Sequence, residues 1–138
     1  MKYLLDTCLI SELSKPIPNE NVIDWLRKIP SESLFISVIT IGEIRKGLSK
    51  LQTSEKKGRL TDWLNTLLKL YIERILPVDL SIAEKWGILQ GNAEKIGKPM
   101  PSVDSLIAAT AYIHNLILVT RNENDFENGE IPIVNPWR

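Results

Sequence analysis

The chain has 138 residues, 43% hydrophobic and 25% charged, which is ordinary for a folded globular protein. Its 17 basic and 17 acidic residues cancel, so the net charge gives no information about a nucleic-acid partner, and any such signal must come from local clusters of charge. Its single cysteine, Cys8, excludes an internal disulfide and a thiolate metal cluster and is interpreted as a small buried hydrophobic residue. The sequence has neither a membrane-spanning apolar run nor the features of a secretion signal, so we expect a cytoplasmic protein that does not contact a membrane.

The amino-terminal part of the chain predicts two strands, each followed by a helix. A short apolar run at 3–5 predicts a buried strand, and apolar residues at helical spacing follow at once. After a proline-rich break, segment 21–29 predicts a helix and segment 34–39, rich in β-forming residues, predicts the second strand. Thr40 and Glu43 have the spacing of a capping box, so we expect the next helix to begin with Thr40 as its N-cap.

The remainder alternates in the same way. The predicted segments are helices at 54–75, 80–96 and 102–115 and strands at 75–78, 116–119 and 131–134. Pro132 places the last strand at an edge of the sheet, because proline has no N–H to donate. This alternation predicts an α/β protein, a three-layer α/β/α sandwich with a central parallel sheet, and no linker divides residues 1–138, so we expect one domain.

Four acidic residues follow predicted strands or begin predicted helices. They are Asp6, Glu43, Asp104 and Asp125. The carboxyl ends of parallel strands share one edge of a sheet, so we expect all four side chains at the same rim. Each has a structural alternative: Asp6 and Asp104 as helix-end residues, Glu43 in the capping box, and Asp125 as the turn partner of Asn122. Small residues on the helical face of Asp104, such as Ala108, favour its close approach to the sheet.

Carboxylates that converge repel one another unless they are protonated or bridged by a cation. Oxygen ligands without cysteine or paired histidine suit Mg²⁺ or Mn²⁺ rather than zinc. Such sites, above all those with two metals, activate water for in-line attack on a phosphodiester. The four acids therefore predict a hydrolytic metal site.

Four segments together resemble PIN-domain ribonucleases of the VapC type, the toxins of bacterial and archaeal toxin–antitoxin pairs. The segments are 4–12, 40–47, 104–111 and 119–126, and the resemblance covers essentially the whole chain. It implies an acidic core of Asp6, Glu43 and Asp104, in which Asp6 and Asp104 bind the metal. The implied function is that of a metal-dependent endoribonuclease with an RNA substrate, a VapB-like antitoxin partner and a homodimeric assembly.

The resemblance also implies that Thr120 and Asn122 line the site and that Asp125 is the fourth acid. Many relatives carry aspartate where this chain has Asn122. Whether Asn122 or Asp125 completes the metal shell, and whether a second ion binds, therefore stays open.

A basic stretch at 45–59 has two interpretations: a solvated helical face, or a surface that binds the phosphate backbone beside the acids. Its cations are Arg45, Lys46, Lys50, Lys56, Lys57 and Arg59. Two other functions remain possible at this point: a phosphatase or phosphotransfer domain with Asp6 as nucleophile, and a non-catalytic regulatory α/β module. The first commonly has a second acid two residues after its nucleophile, where this chain has Cys8.

Overall fold

A five-stranded sheet forms the centre of the molecule, which the computed structural model describes from Met1 to Arg138. The strands are β1 (Tyr3–Leu5), β2 (Leu34–Ser37), β3 (Ile75–Leu76), β4 (Ile117–Val119) and β5 (Ile133–Val134). Their spatial order is β3-β2-β1-β4-β5, and every neighbouring pair is parallel. The predicted parallel α/β/α sandwich is confirmed, and β5 lies at an edge as Pro132 indicated.

Six helices cover the sheet. They are α1 (Thr7–Leu13), α2 (Glu20–Arg27), α3 (Val38–Ser49), α4 (Glu55–Tyr71), α5 (Leu80–Lys95) and α6 (Ser102–Ile113). One apolar core contains Leu4 and side chains of α5 and α6, and the other contains Leu5 and side chains of α1 to α4. Successive side chains of a strand point to opposite faces, so β1 is buried on both, which explains its continuous apolar sequence. None of these helices combines the length and hydropathy needed to cross a membrane.

The start of α3 differs from the prediction. Ser37 is the N-cap, with its Oγ accepting the N–H of Ile39 at 3.0 Å, so β2 ends at Ser37 and the helix begins earlier than expected. The capping-box interpretation of Thr40 and Glu43 is therefore wrong. The extended backbone that an N-cap requires occurs at Ser37, whereas Thr40 is already helical and buried. Glu43 consequently lies in the second turn and is free of any capping role.

Two predicted helices end earlier than expected. Helix α4 stops at Tyr71 and is followed by a 3₁₀ turn, Ile72–Arg74, in which Ile72 is 69% exposed. Ile96, which the periodicity placed on the buried face of α5, is the C-cap of that helix and is 61% exposed. Gly97 follows with a φ of 70°, a left-handed conformation that ends a helix readily.

Candidate active site

The strand order reverses at β1, because β2 and β3 lie on one side of it and β4 and β5 on the other. In open α/β sheets, ligands bind outside the carboxyl ends of the strands at such a switch point. Leu5 of β1 is in register with Val119 of β4, and the N–H of Asp6 donates to the carbonyl of Val119 at 3.0 Å. Asp6 and Thr120, which follow the two strands, therefore lie side by side at the crevice.

Asp6 is 3% exposed and accepts hydrogen bonds on both carboxylate oxygens. Its Oδ1 accepts the N–H of Thr7 at 2.8 Å, whereas its Oδ2 accepts the hydroxyl of Thr120 at 2.7 Å and the thiol of Cys8 at 3.4 Å. Burial raises the pKa of Asp6, the hydrogen bonds lower it, and the charge of Glu43 raises it further. Asp6 is thus both the N-cap of α1 and a member of the acidic group, so the two interpretations of this residue do not exclude each other.

Glu43 is positioned by a contact between α1 and α3. The hydroxyl of Thr7 donates to Glu43 Oε1 at 2.5 Å and lies 3.1 Å from the hydroxyl of the buried Thr40. Since Thr7 also donates its N–H to Asp6, one residue positions two of the acids. The sequence pattern did not identify Thr7, although its place directly after Asp6 at the start of α1 is a usable signal.

Asp104 lies in the first turn of α6, and no hydrogen bond or ion pair engages its carboxylate. Burial first, and then the charges of Asp6, Asp125 and Glu43, together raise the pKa of Asp104 to about 6. The side chains of Ala108 and Ala111 are fully buried, so the small face of α6 does pack against the sheet as predicted. The structure therefore places Asp104 where the charges of all three other acids reach it.

Asp125 and Asn122 lie on the turn after β4 and are exposed. The N–H of Asn122 donates to Thr120 Oγ1 at 3.0 Å, and its carbonyl accepts the N–H of Asp125 at 3.1 Å. Asp125 is therefore a turn partner of Asn122 through the backbone, while its side-chain charge acts on Asp104.

Cys8 is not the buried hydrophobic residue that its isolation suggested. It is half-buried, and its sulfur lies 3.4 Å from both Asp6 Oδ2 and Thr120 Oγ1. Burial raises the pKa of the thiol, and the charge of Asp6 raises it further, so the thiol remains a hydrogen-bond donor to that carboxylate. The turn from β1 into α1 directs Cys8 toward Thr120 of β4, which sequence spacing alone does not reveal.

The basic residues of 45–59 do not form one uniform surface. Arg45 donates to Asn65 Oδ1 at 3.3 Å, and Lys57 Nζ donates to the carbonyl of Leu51 at 3.0 Å. Lys56 lines a groove of about 280 Å³ that also contains Glu43, and Arg59 lines a neighbouring cavity of about 330 Å³. The remaining cations, Lys46 and Lys50, are exposed on and next to α3. Of the six, Lys56 is the one that shares a groove with an acid of the site.

The donor set fits a hard divalent cation in kind and in charge. The four ion pairs of the molecule involve other acids, so Asp6, Glu43, Asp104 and Asp125 have no basic partner. No three acidic, histidine or cysteine side chains form a ready-made ligand cluster. Mg²⁺ does not require such a cluster, because it keeps several waters and is commonly held by only one or two carboxylates.

Comparison with known proteins gives a consistent result. The PIN domain family matches residues 3–130. Toxin FitB of Neisseria gonorrhoeae is 38% identical over 97% of this chain and 97% of its own, and VapC ribonuclease Y4jK of Sinorhizobium fredii is 34% identical over 97% and 96%. The crystal structure of FitAcB from Neisseria gonorrhoeae contains a chain that superposes with a TM-score of 0.92 at 37% identity, covering 99% of both chains. The DNA-bound VapBC from Salmonella typhimurium gives 0.81 at 26% identity, covering 100% of this chain and 99% of the other.

Proposed function

The chain belongs to the PIN-domain family, and from that premise we propose that it is an endoribonuclease that hydrolyses RNA phosphodiester bonds as the toxin of a toxin–antitoxin pair. The observation that carries this proposal is the placement of Asp104 near the switch point of the sheet: it is a half-buried carboxylate with no hydrogen-bond or ion-pair partner, and the charges of three other acids reach it. A carboxylate kept in such surroundings without a basic partner is suited to binding a cation. The names of the relatives, a toxin and a VapC ribonuclease, support the same conclusion.

PIN-domain nucleases of the VapC type depend in general on a divalent metal. We propose Mg²⁺ or Mn²⁺ for this chain, held by Asp6 and Asp104, with Glu43 and Asp125 at the border of the site. When bound, such an ion activates water and offsets the charge of the phosphate.

The chain's own residues perform three tasks in this proposal. Thr120 and Cys8 fix Oδ2 of Asp6, so that this carboxylate keeps one orientation. Thr7 fixes Oε1 of Glu43, which leaves Oε2 to accept a proton from the attacking water. Asp125 adds negative charge at the open side of the site, and Asn122 holds Thr120 through its N–H.

The surroundings of Asp6 also bear on the alternative functions. A phosphotransfer domain commonly has a second acid two residues after its nucleophile, whereas this chain has Cys8 there, and its thiol donates to Asp6 Oδ2. The absence of an acid at this position counts against a covalent phosphotransfer mechanism. A purely regulatory module gives no reason for four acids without a basic partner at the switch point of the sheet.

The proposal extends to assembly and location. The chains in the solved complexes named VapBC and FitAcB superpose over almost the full length of this chain, so we propose an antitoxin partner of the VapB type. We further propose that residues 1–138 form one nuclease domain, that the toxin is a homodimer and that it acts in the cytoplasm.

The test is cleavage of a mixed-sequence single-stranded RNA by the purified protein. We expect cleavage with Mg²⁺ or Mn²⁺, none with chelator, and recovery when metal is restored. Asp104→Asn is the inactive control, since it changes the charge at nearly constant volume. Cleavage that persists in chelator, or equal cleavage by Asp104→Asn, would contradict the proposal.

A further inference from the structure

A second polar cavity adjoins the acidic site and is not explained by it. It has a volume of about 310 Å³ and is lined only by polar and charged residues of the turn after β4 and of the carboxyl-terminal segment. Asn122 and Asp125 belong to its wall, so the cavity and the acidic site share one side. Two arginines, Arg121 and Arg138, also line this cavity.

The two arginines differ in their partners. Arg138 forms an ion pair with Glu123 at 2.7 Å, and Asn135 Nδ2 donates to the same carboxylate oxygen at 2.9 Å. Arg121 belongs to none of the ion pairs of the molecule. Its guanidinium lies 5.2 Å from the ring centroid of Trp137. Stacking on an aromatic ring orients a guanidinium without neutralising it, so the donors of Arg121 stay available.

Trp137 itself is held in place. Its backbone N–H donates to Asn135 Oδ1 at 3.0 Å, and its backbone carbonyl accepts the side-chain amide of Asn21 at 3.1 Å. The platform under Arg121 is therefore fixed to α2 and to the segment that follows β5. A cation positioned in this way loses less side-chain entropy on binding a ligand than a freely moving one does.

We propose that Arg121 binds a phosphate of the RNA strand next to the phosphodiester that is cleaved, with the neighbouring nucleotide seated in this cavity. The planar guanidinium matches a phosphate in bidentate geometry, and a strand that enters an acidic site needs a cation close by to offset repulsion. This inference rests on the proposed ribonuclease function, and it identifies a substrate contact outside the acidic group.

The test measures binding apart from cleavage. A mixed-sequence single-stranded RNA oligonucleotide is titrated in chelator at several salt concentrations against wild type, Arg121→Gln, Arg121→Lys and the matched control Arg27→Gln. Arg27 is an exposed arginine of α2 that lines none of the cavities described above. Loss of one charged hydrogen-bonding contact should raise the Kd of Arg121→Gln about tenfold and reduce its salt slope by about 0.7, while Arg27→Gln matches wild type.

Arg121→Lys should keep the salt slope but bind about threefold more weakly, because an ammonium group has no planar fork. In the presence of metal, the KM for the same RNA should rise about tenfold in Arg121→Gln, with kcat within about twofold of wild type. An unchanged Kd and slope in Arg121→Gln overturn the proposal, as does a loss of antitoxin binding with RNA binding intact.

A sharper control replaces one charged phosphate of the RNA probe with an uncharged linkage. Once the cleaved bond of the probe is mapped, a methylphosphonate is placed at each neighbouring position in turn. We expect one position at which the methylphosphonate weakens RNA binding by wild type but does not weaken binding by Arg121→Gln any further, because the two groups contact each other. If no position shows this coupling, the contact is overturned. If RNA binding depends on Arg121 while no RNA is cleaved with any metal, the ribonuclease function fails and the placement beside a cleaved bond fails with it, while Arg121 is retained as an RNA-binding residue.

Discussion

Each end of α1 has a buried carboxylate, and the surroundings of these two carboxylates shift their pKa values in opposite directions. Asp6 at the amino end is 3% exposed, and Glu12 near the carboxyl end is 5% exposed. Glu12 accepts Lys15 Nζ at 3.0 Å and the N–H of Asn19 at 3.0 Å, and these contacts lower its pKa. The pKa of Asp6 is raised, by burial first and by Glu43 in addition.

Burial alone therefore does not identify a functional acid. Glu12 has a cation and a backbone N–H, so it joins the end of α1 to the start of α2 and stabilises the fold. Asp6 has neutral hydrogen-bond donors and other carboxylates as neighbours, so its site lacks positive charge. What distinguishes the two acids is the charge of the groups that face them.

The largest expected effect separates the two acids by activity. Asp6→Asn should lower RNA cleavage by more than about a hundredfold, because loss of a metal ligand should cost more than loss of a group that only supports a ligand. Asparagine still caps α1 well, so the fold should be retained. Glu12→Gln, the matched control, should cleave at the wild-type rate per folded molecule. Comparable losses in both variants would remove the distinction between a catalytic and a structural acid.

The next effect concerns the stability of the fold, for which we expect Glu12 to matter more than Asp6. Glu12→Gln places an amide where a carboxylate accepted from Lys15 and Asn19, and we expect unfolding to become easier by about 1–2 kcal/mol. For a domain of this size, that corresponds to a melting temperature lower by several degrees. Thermal unfolding at pH 7 measures it, with Asp6→Asn as the comparison. A Glu12→Gln variant as stable as wild type would show that these contacts contribute nothing.

Asp104 allows a test of the direction in which pH changes the stability of the metal-free protein. Its ordinary pKa of 3.8 is raised to about 6, so the folded protein binds more protons than the unfolded chain between these values. The metal-free protein should therefore lose stability as pH rises through this window. Glu12, with its lowered pKa, should contribute the opposite trend, stabilising the fold at neutral pH and losing that contribution in acid.

In chelator at pH 7, Asp104→Asn should accordingly raise the melting temperature by a few degrees, for relief of about 1 kcal/mol after allowance for solvent screening. Added Mg²⁺ or Mn²⁺ should stabilise wild type by mass action and the variant much less. An acid that only favours the helix end predicts a destabilised variant and no response to metal. Melting curves of the two proteins, with chelator and with Mn²⁺, distinguish these outcomes.

The smallest effect extends the comparison to two neighbouring cations. Lys57 donates to the carbonyl of Leu51, whereas Lys56 lines the groove that contains Glu43. Lys56→Gln should reduce the salt slope of RNA binding by about 0.7 and leave the melting temperature unchanged. Lys57→Gln should change stability more than the slope. Equal slopes for Lys56→Gln and wild type would assign this segment to a solvated face.

Much of the fold could be predicted from the sequence, because its signals are local and repeated. The apolar run at 3–5 and the alternation of strands with amphipathic helices predicted the parallel sheet. Pro132 predicted that the last strand lies at an edge of the sheet. The start of a helix is harder to predict where two nearby residues could each serve as the N-cap, as Ser37 and Thr40 could for α3. The end of a helix is equally hard to predict, because apolar periodicity can continue past it. Ile96 fits the apolar pattern of α5 but lies at the C-cap and is exposed.

The sequence by itself determined which residue types are present: four acids that follow strands or lie early in helices, with no cysteine pair or paired histidine to bind a soft metal. Only the tertiary structure decided what surrounds each of them. Thr7 joins Asp6 to Glu43, Thr120 and Cys8 fix Asp6 from β4, and Arg121 lies on Trp137 without an acidic partner. The physical reason is that hydrogen bonds require contact and that Coulomb interactions weaken with distance and with screening by water. Residues far apart in the chain come close enough only through the strand order β3-β2-β1-β4-β5.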